Sequence, residues 1–172
     1  MKKAALMISI FFLLVNTAVF AEQEKTEHKP VLEDFGGYHY AYMQFNGSYS
    51  LISEKAGIFM EEFKKQGLKK EGDIMVAYYN SPRVNKKEDL EWAVSYPIAA
   101  GAEVKPPLKK AEFKKVLCVT MIHVGSAKTI QASNDKVKDY IDNNGYEMVW
   151  PAYEIFCSKP PHVKIIHPVI KK

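Results

Sequence analysis

The chain is organised around residues 150–156, which read WPAYEIF. Their aromatic and β-branched side chains predict a short strand that opens at a proline. Alternation along a strand places Glu154 on the same face as Ala152 and Phe156. That face is largely apolar, so we expect Glu154 to be at least partly buried, where a carboxylate needs a partner. The partner could be a lysine, a set of backbone N–H groups or a cationic ligand.

Hydrophobic spacing and turn residues divide the rest of the chain into strands and helices. Strands are predicted at 37–45, 73–79, 90–98, 116–123, 152–157 and 163–170, and helices at 50–66 and 129–144.

The two halves of the chain repeat each other with a constant offset of 78 residues. The shift carries Gly47, Gly67 and Pro82 of the first half onto Gly125, Gly145 and Pro160 of the second. The last strands match once seven residues are removed from the first loop. This register predicts a duplicated strand–helix–strand–strand unit, with repeat 1 at 37–98, a connector at 99–115 and repeat 2 at 116–170. The alternative is two unrelated α+β segments.

One such unit has a single helix and cannot close a core alone, so the duplication predicts an α+β domain. The two units would form an antiparallel sheet with both helices on one side and a ligand cleft between the halves. Within each unit we expect the first and second strands to flank the third. Cys118 and Cys157 would then lie about two strand spacings apart, roughly 9–10 Å, which is too far for a disulfide, so two free thiols are favoured.

The N-terminus has the features of a secretory signal at residues 1–21. Two lysines precede an apolar run of 12 residues, and small residues stand before the expected cleavage site. An uncleaved membrane anchor is the alternative. Without these residues the chain keeps 22 basic and 20 acidic residues, a net charge of +2. The polar segment 22–36 is predicted to be a flexible leader, and no basic stripe suited to nucleic acid is visible.

These features resemble the GyrI-like small-molecule-binding domain, the effector-binding domain of multidrug-responsive bacterial transcription activators. The resemblance covers residues 38–169 and is carried by three stretches: His123-Val124-Gly125, the helix end at Asn144-Gly145-Tyr146, and residues 150–156. The family is itself a duplication of strand–helix–strand–strand modules. The resemblance implies an aromatic pocket between the halves with a strand glutamate at its floor, which matches Glu154.

The chain departs from the family pattern at several positions. Ser126 and Ala127 replace the usual Pro-Tyr of the turn, and Phe156 replaces the usual tyrosine, whereas the first half keeps Tyr49. The glutamate occurs in one repeat only, since Val76 holds the equivalent position in the other. The helix-turn-helix region that often precedes this domain is not recognisable, so a transcription activator is not expected.

Four further residues are candidates for a ligand site around Glu154. Trp92, Tyr96 and Tyr42 lie on predicted strands, where aromatic faces around a carboxylate would hold a cation. His123 ends a strand before Gly125 and could be a ligand group or a general base. Ordinary core packing or turn capping is the alternative for each. The other histidines form no spaced cluster with acids, so neither a metal nor another cofactor is predicted.

Three functions remain open. The first is an exported protein that binds a lipophilic and possibly cationic small molecule. The second is a hydrolase acting on a small electrophilic toxin, with Glu154 as base and Tyr42 or Tyr96 as acid, as the resemblance to family members with hydrolase activity implies. The third is an envelope interaction protein that keeps the fold without a ligand. The missing tyrosines at Ala127 and Phe156 favour binding over catalysis.

Overall fold

A computed structural model describes residues 28–126, 128–158 and 162–172, so the predicted signal segment lies outside the described residues. Nine strands and two helices follow one another in this order: β1 Val31–Phe35, β2 Tyr38–Asn46, α1 Ile52–Lys65, β3 Ile74–Tyr78, β4 Glu91–Ile98, β5 Lys109–Phe113, β6 Val116–Val124, α2 Ile130–Asn143, β7 Tyr146–Met148, β8 Ala152–Phe156 and β9 His162–Lys171. The predicted α+β class is confirmed. No helix within the described residues has the length and apolar character needed to cross a bilayer.

The strands form one curled antiparallel sheet in the order β1-β6-β9-β8-β3-β4-β2-β5, with β7 paired to the end of β9. In each half the third strand lies between the first two, as predicted. β4 separates β2 from β3, and β9 separates β6 from β8. Cys118 and Cys157 are both free thiols, and Cys118 is buried.

The duplication is visible residue by residue. Strand β2, helix α1 and strand β3 each begin and end 78 residues before β6, α2 and β8. The last strands follow the shorter offset, because Tyr40 pairs with Pro97 in the first half and Cys118 pairs with Pro168 in the second. The seven extra residues therefore belong to the loop between β3 and β4.

The repeat extends further than the sequence indicated. Strand β1 lies inside the segment 22–36 predicted to be a flexible leader, and β5 lies inside the connector 99–115. Both predictions are wrong for these residues. β1 pairs with β6 of the second half, whereas β5 pairs with β2 of the first, so the two halves exchange their edge strands. Charged side chains such as those of Glu33 and Lys109 are common on edge strands. They interrupt the alternation of apolar and polar residues from which strands are predicted.

Strands β3 and β8 join the halves at the centre of the sheet. Val76 lies directly opposite Glu154 in this pairing, and these two residues are repeat equivalents. The approximate twofold axis of the molecule therefore passes between them. Separate apolar cores lie beneath the two helices, one containing Phe59 and Val76 and the other containing Val137 and Ile165. A third core fills the helix-free face of the sheet.

The curl of the sheet brings its two edge strands together on the helix-free face. The rings of Phe35 on β1 and Phe113 on β5 lie 5.7 Å apart, centroid to centroid. Between β1 and β2, Gly36 has a φ of +109°, and a Cβ atom there would lie 2.4 Å from the Lys114 carbonyl oxygen. This turn therefore requires glycine for its conformation and for the close approach of the backbone.

We expect Gly36→Ala and Gly57→Ala to change stability in opposite directions. Gly36→Ala should lower the free energy of unfolding by at least about 1–3 kcal/mol. Alanine is strained at this positive φ, and its Cβ would also clash with the Lys114 carbonyl oxygen. Gly57 lies within α1 with open space where a Cβ would be. Its replacement should stabilise the protein by roughly 0.5–1 kcal/mol. Urea unfolding of both variants measures the difference, and equal effects would contradict the role of the Gly36 turn.

Candidate ligand site

Glu154 lies at the middle of β8, on the face of the sheet that carries both helices. Its carboxylate is partly buried and accepts two hydrogen bonds. The Tyr78 hydroxyl donates to Oε2 at 2.7 Å, and Asn134 Nδ2 of helix α2 donates to Oε1 at 3.3 Å. The carboxylate is therefore held from the first half by β3 and from the second half by α2.

Tyr49 completes this site from the turn that precedes α1. Its ring packs edge to face against Tyr78 with the centroids 4.9 Å apart, and its hydroxyl donates to the Asn80 carbonyl oxygen at 2.7 Å. We call the partly exposed region formed by Tyr49, Tyr78, Asn134 and Glu154 the axial groove, since it lies on the approximate twofold axis. Its ring faces come from the first repeat and its amide and carboxylate from the second.

The electrostatics of the axial groove are those of a desolvated carboxylate. Burial raises the pKa of Glu154, and the hydrogen bonds from Tyr78 and Asn134 and the nearby His123 oppose the rise. Burial and the same carboxylate raise the pKa of Tyr49 to about 12 and that of Tyr78 well above its usual value, so both are neutral phenols. Among the described residues no lysine or arginine forms an ion pair with Glu154.

His167 on β9 fixes the orientation of the Asn134 amide. The ring is buried, and burial lowers its pKa to about 4, so it is neutral at pH 7. Because Asn134 Nδ2 donates to Glu154, the Oδ1 atom is free to accept, and His167 Nε2 lies 3.2 Å from it. Nε2 must therefore carry the proton, while Nδ1 faces the Met148 sulfur.

His123, predicted to be a site residue, lies near Glu154 but beneath the start of α2. It is 3 % exposed. Nδ1 lies 2.9 Å from Ser133 Oγ, and Nε2 lies 3.2 Å from the Ser126 carbonyl oxygen. Both ring nitrogens are thus engaged with the protein, and contact of His123 with a ligand stays a prediction.

The structure does not bring the other three predicted residues to Glu154. Trp92 is fully buried in the core, and its indole N–H donates to the Gly47 carbonyl oxygen at 3.1 Å. Tyr96 packs beneath α1, with its ring 5.5 Å from Phe59 and 5.1 Å from Phe63. Tyr42 lies on the helix-free face, beside Tyr40. The tyrosine hydroxyl that donates to Glu154 is that of Tyr78, and the acid–base pairing of Glu154 with Tyr42 or Tyr96 stays a prediction.

Sequence reasoning missed Tyr49, Tyr78, Asn134 and His167 as members of the site. A usable signal existed for Tyr78. It stands two residues after Val76, the repeat equivalent of Glu154, and alternation places residues 76 and 78 on one face. Asn134 and His167 gave no comparable signal, because their contacts depend on how α2 crosses the sheet.

Two other features of the described residues bear on the choice of site. A cavity of about 280 Å³ lies on the helix-free side, with Phe35, Tyr38, Asp73 and Ile155 among its lining residues. It is separated from Glu154 by the sheet. The described residues contain no group of three histidine, cysteine or acidic side chains arranged to hold a metal ion.

Comparison with known proteins identifies the domain type. The model of the GyrI-like small molecule binding domain matches residues 28–169. Among solved structures, the EcmrR C-terminal domain has a TM-score of 0.73 at 14 % identity, with 85 % of this chain and 99 % of that one covered. A hydrolase from Listeria innocua has a TM-score of 0.59 at 12 % identity, with 83 % and 92 % covered. The protein SAV2435, solved bound to tetraphenylphosphonium, has a TM-score of 0.54 at 11 % identity, with 83 % and 94 % covered.

At these identities the likeness shows a shared fold. No curated protein is significantly similar in sequence.

The buried neutral His167 predicts an acid-labile component of stability. Its pKa is about 4 in the folded chain, whereas an unfolded histidine titrates near 6.5. The unfolded state therefore binds the proton first, and the stabilisation present above pH 6.5 is lost as the pH falls towards 4. The loss should reach about 3 kcal/mol, since one pKa unit corresponds to about 1.4 kcal/mol. His167→Gln should remove this part of the pH dependence.

Urea unfolding of wild type and His167→Gln at pH 7, 6, 5 and 4 measures the effect. The raised pKa of Glu154 acts in the opposite direction, because the folded state then binds its proton more tightly. Glutamine keeps an N–H donor for Asn134 Oδ1, so we expect the contribution of Glu154 to be similar in both proteins and to cancel in the difference. Parallel stability curves for the two proteins would contradict the assignment of a neutral, buried His167.

Proposed function

The chain belongs to the GyrI-like small-molecule-binding domain family, and on that premise we propose that it binds a lipophilic cation in the axial groove. The observation that carries the proposal is the state of Glu154. Its carboxylate is partly buried, its two donors are the neutral groups of Tyr78 and Asn134, and no described lysine or arginine is among the groups that shift its pKa.

A cationic ligand would supply the missing charge. Direct pairing with a desolvated carboxylate is the strongest polar contact available in the groove. The rings of Tyr49 and Tyr78, set edge to face, offer apolar surface and ring faces that attract a cation. A lipophilic cation satisfies both features, whereas a metal ion would need further oxygen or nitrogen ligands.

The approximate symmetry of the domain supports a single ligand. Val76 and Glu154 are repeat equivalents that face each other across the axis, and only one is charged. The helix position equivalent to Asn134 is Ala56, which cannot donate a side-chain hydrogen bond. Two symmetric sites would require these donors and carboxylates in both halves.

The binding experiment compares tetraphenylphosphonium with neutral triphenylphosphine oxide on wild type, Glu154→Gln and the control Glu112→Gln. Glu112 is an exposed residue of the edge strand β5. We expect wild type and the control to bind the cation, with a stabilisation of about 2.7 kcal/mol at a hundredfold excess over Kd. Glu154→Gln should bind it at least about tenfold more weakly, which corresponds to about 1.4 kcal/mol.

Isothermal titration and thermal unfolding provide the two readouts. Equal affinity of wild type and Glu154→Gln for the cation would refute the role of Glu154. Equal binding of the cation and the neutral oxide by wild type would show that the groove selects apolar surface alone.

We further propose that the protein acts outside the cytoplasm, on the basis of the basic start, apolar run and small residues of 1–21. Expression with cell fractionation and mass spectrometry of the N-terminus tests this. The mature chain should begin at Glu22 in the exported fraction. An intact Met1 in the cytoplasm would contradict export.

Hydrolysis is a second candidate, favoured by the 2.7 Å contact between the Tyr78 hydroxyl and Glu154. A carboxylate could activate water while a neutral phenol protonates a leaving oxygen. Styrene oxide is a suitable electrophilic probe, because addition of water opens the epoxide to a diol. Diol formation that is lost in both Glu154→Gln and Tyr78→Phe would establish this activity. Formation at the uncatalysed rate would leave binding as the function.

A further inference from the structure

The loop between β3 and β4 breaks the symmetry of the two repeats on the side of the axial groove. It is longer by seven residues than the loop between β8 and β9. The loop between β3 and β4 carries Arg83, the single arginine of the sequence. We call residues 80–90 the strap.

The two ends of the strap are fastened together beside the groove. The Asn80 side chain donates from Nδ2 to the Asp89 carbonyl oxygen at 2.9 Å and accepts at Oδ1 from the Glu91 N–H at 3.1 Å. The Asn80 carbonyl oxygen accepts from the Tyr49 hydroxyl, which belongs to the groove wall. The strap therefore starts from a fixed base next to Tyr49 and Tyr78.

The outer part of the strap is folded on itself. Ser81 Oγ accepts from the Arg83 N–H at 3.2 Å, and the Ser81 carbonyl oxygen accepts from the Asn85 N–H at 3.0 Å and from Asn85 Nδ2 at 2.9 Å. Residues 82–84 and 86–89 are exposed to solvent, with Val84 83 % exposed, whereas Leu90 at the end of the strap is buried. These bonds hold residues 81–85 together as one compact turn.

The outer part is attached to the other half of the molecule. Arg83 forms an ion pair with Asp135 of helix α2, and Asp135 also accepts from Gln131 at 3.0 Å. Asp135 immediately follows Asn134, which donates to Glu154. The strap thus runs from the Tyr78 side of the groove to the Asn134 side.

The attachment is of a kind that releases easily. The Arg83 and Asp135 side chains are 56 % and 47 % exposed, and exposed ion pairs contribute little to stability and weaken with salt. A fixed base, a folded outer part and a weak attachment on the opposite wall are the parts of a gate.

We propose that residues 80–90 form a strap that closes one end of the axial groove and selects, by size, the molecules that reach Glu154. While Arg83 is paired with Asp135, the strap keeps bulky molecules out of that end of the axial groove and lets small molecules enter. Arg83 and Asp135 are accordingly specificity-determining residues that need not touch the ligand. The relevance of the strap to a cationic ligand rests on the proposed function, whereas the gate itself can be tested without a ligand.

The ligand-free test places a reporter thiol at the groove floor, as Glu154→Cys in a Cys157→Ser background. Cys118 is fully buried and serves as the unreactive internal thiol. Labelling rates are measured with iodoacetamide, which is small, and fluorescein maleimide, which is bulky. The three backgrounds are the intact strap, Arg83→Asp, and the charge exchange Arg83→Asp with Asp135→Arg.

We expect Arg83→Asp to speed labelling by the maleimide about two- to fivefold, the change that loss of one exposed ion pair produces. Iodoacetamide should react at the same rate in all backgrounds. The charge exchange should restore the slow maleimide rate. The proposal would be overturned if Arg83→Asp increased the labelling rates of both reagents equally, or if it changed neither rate.

A second arm uses chains that retain Glu154 and follows the association rates of tetraphenylphosphonium and tetramethylammonium. Arg83→Asp should speed association of the bulky cation alone. If neither cation binds any variant, the proposed function fails, while the labelling rates still decide the strap. If both cations bind wild type and Arg83→Asp at unchanged rates, the strap does not gate the groove, and binding at Glu154 stands.

Discussion

The pairing of β3 with β8 joins the two halves of the molecule at the centre of the sheet and brings Tyr78 beside Glu154. Each half alone has one helix over a small sheet. Without the other half, β3 and β8 would each lack a paired strand on one edge. Pairing them satisfies their backbone hydrogen bonds and places Val76 opposite Glu154 on the approximate twofold axis. The two helices then flank the axis, so the axial groove is a direct product of joining the halves in this register.

The duplication allows one copy of a position to serve the core and the other to carry charge. Val76 is buried against α1, whereas Glu154 occupies the equivalent place with a carboxylate. Desolvating that carboxylate is unfavourable, and the fold offsets the cost through Tyr78 and through Asn134, which His167 orients. Charge is concentrated on one side of the axis, and the ring faces are supplied from the other.

The sequence predicted the features that follow from periodicity and from internal repetition. Hydrophobic spacing located both helices and three strands of each half, and the offset between Gly47 and Gly125 identified them as a repeated unit, from which the strand order within each half was predicted. Edge strands β1 and β5 were missed because their charged residues interrupt the alternation that marks a buried strand. Glu154 was placed correctly on a partly buried strand, since its neighbours are apolar on both sides.

The companions of Glu154 were harder to predict. Trp92 and Tyr96 share its face of the sheet, yet Trp92 is enclosed in the core and Tyr96 packs beneath α1. Tyr42 lies on the opposite, helix-free face of the sheet, because alternate residues of β2 point to opposite faces. Which aromatic reaches the axis depends on strand register and helix crossing, and neither is encoded in local spacing. The partners Asn134 and His167 come from elements that meet only in the folded sheet.

The exchange of edge strands between the halves has a consequence for how the chain comes together. β1 is made first but finds its partner only when β6 exists, and Val31 pairs with Thr120 of the second half. Neither half can complete its sheet from its own residues. The halves are interlocked, because each one contributes an edge strand to the sheet of the other. Contacts so distant in sequence slow folding, because the entropy of closing a long loop is lost before the strand pairing contributes any stabilisation.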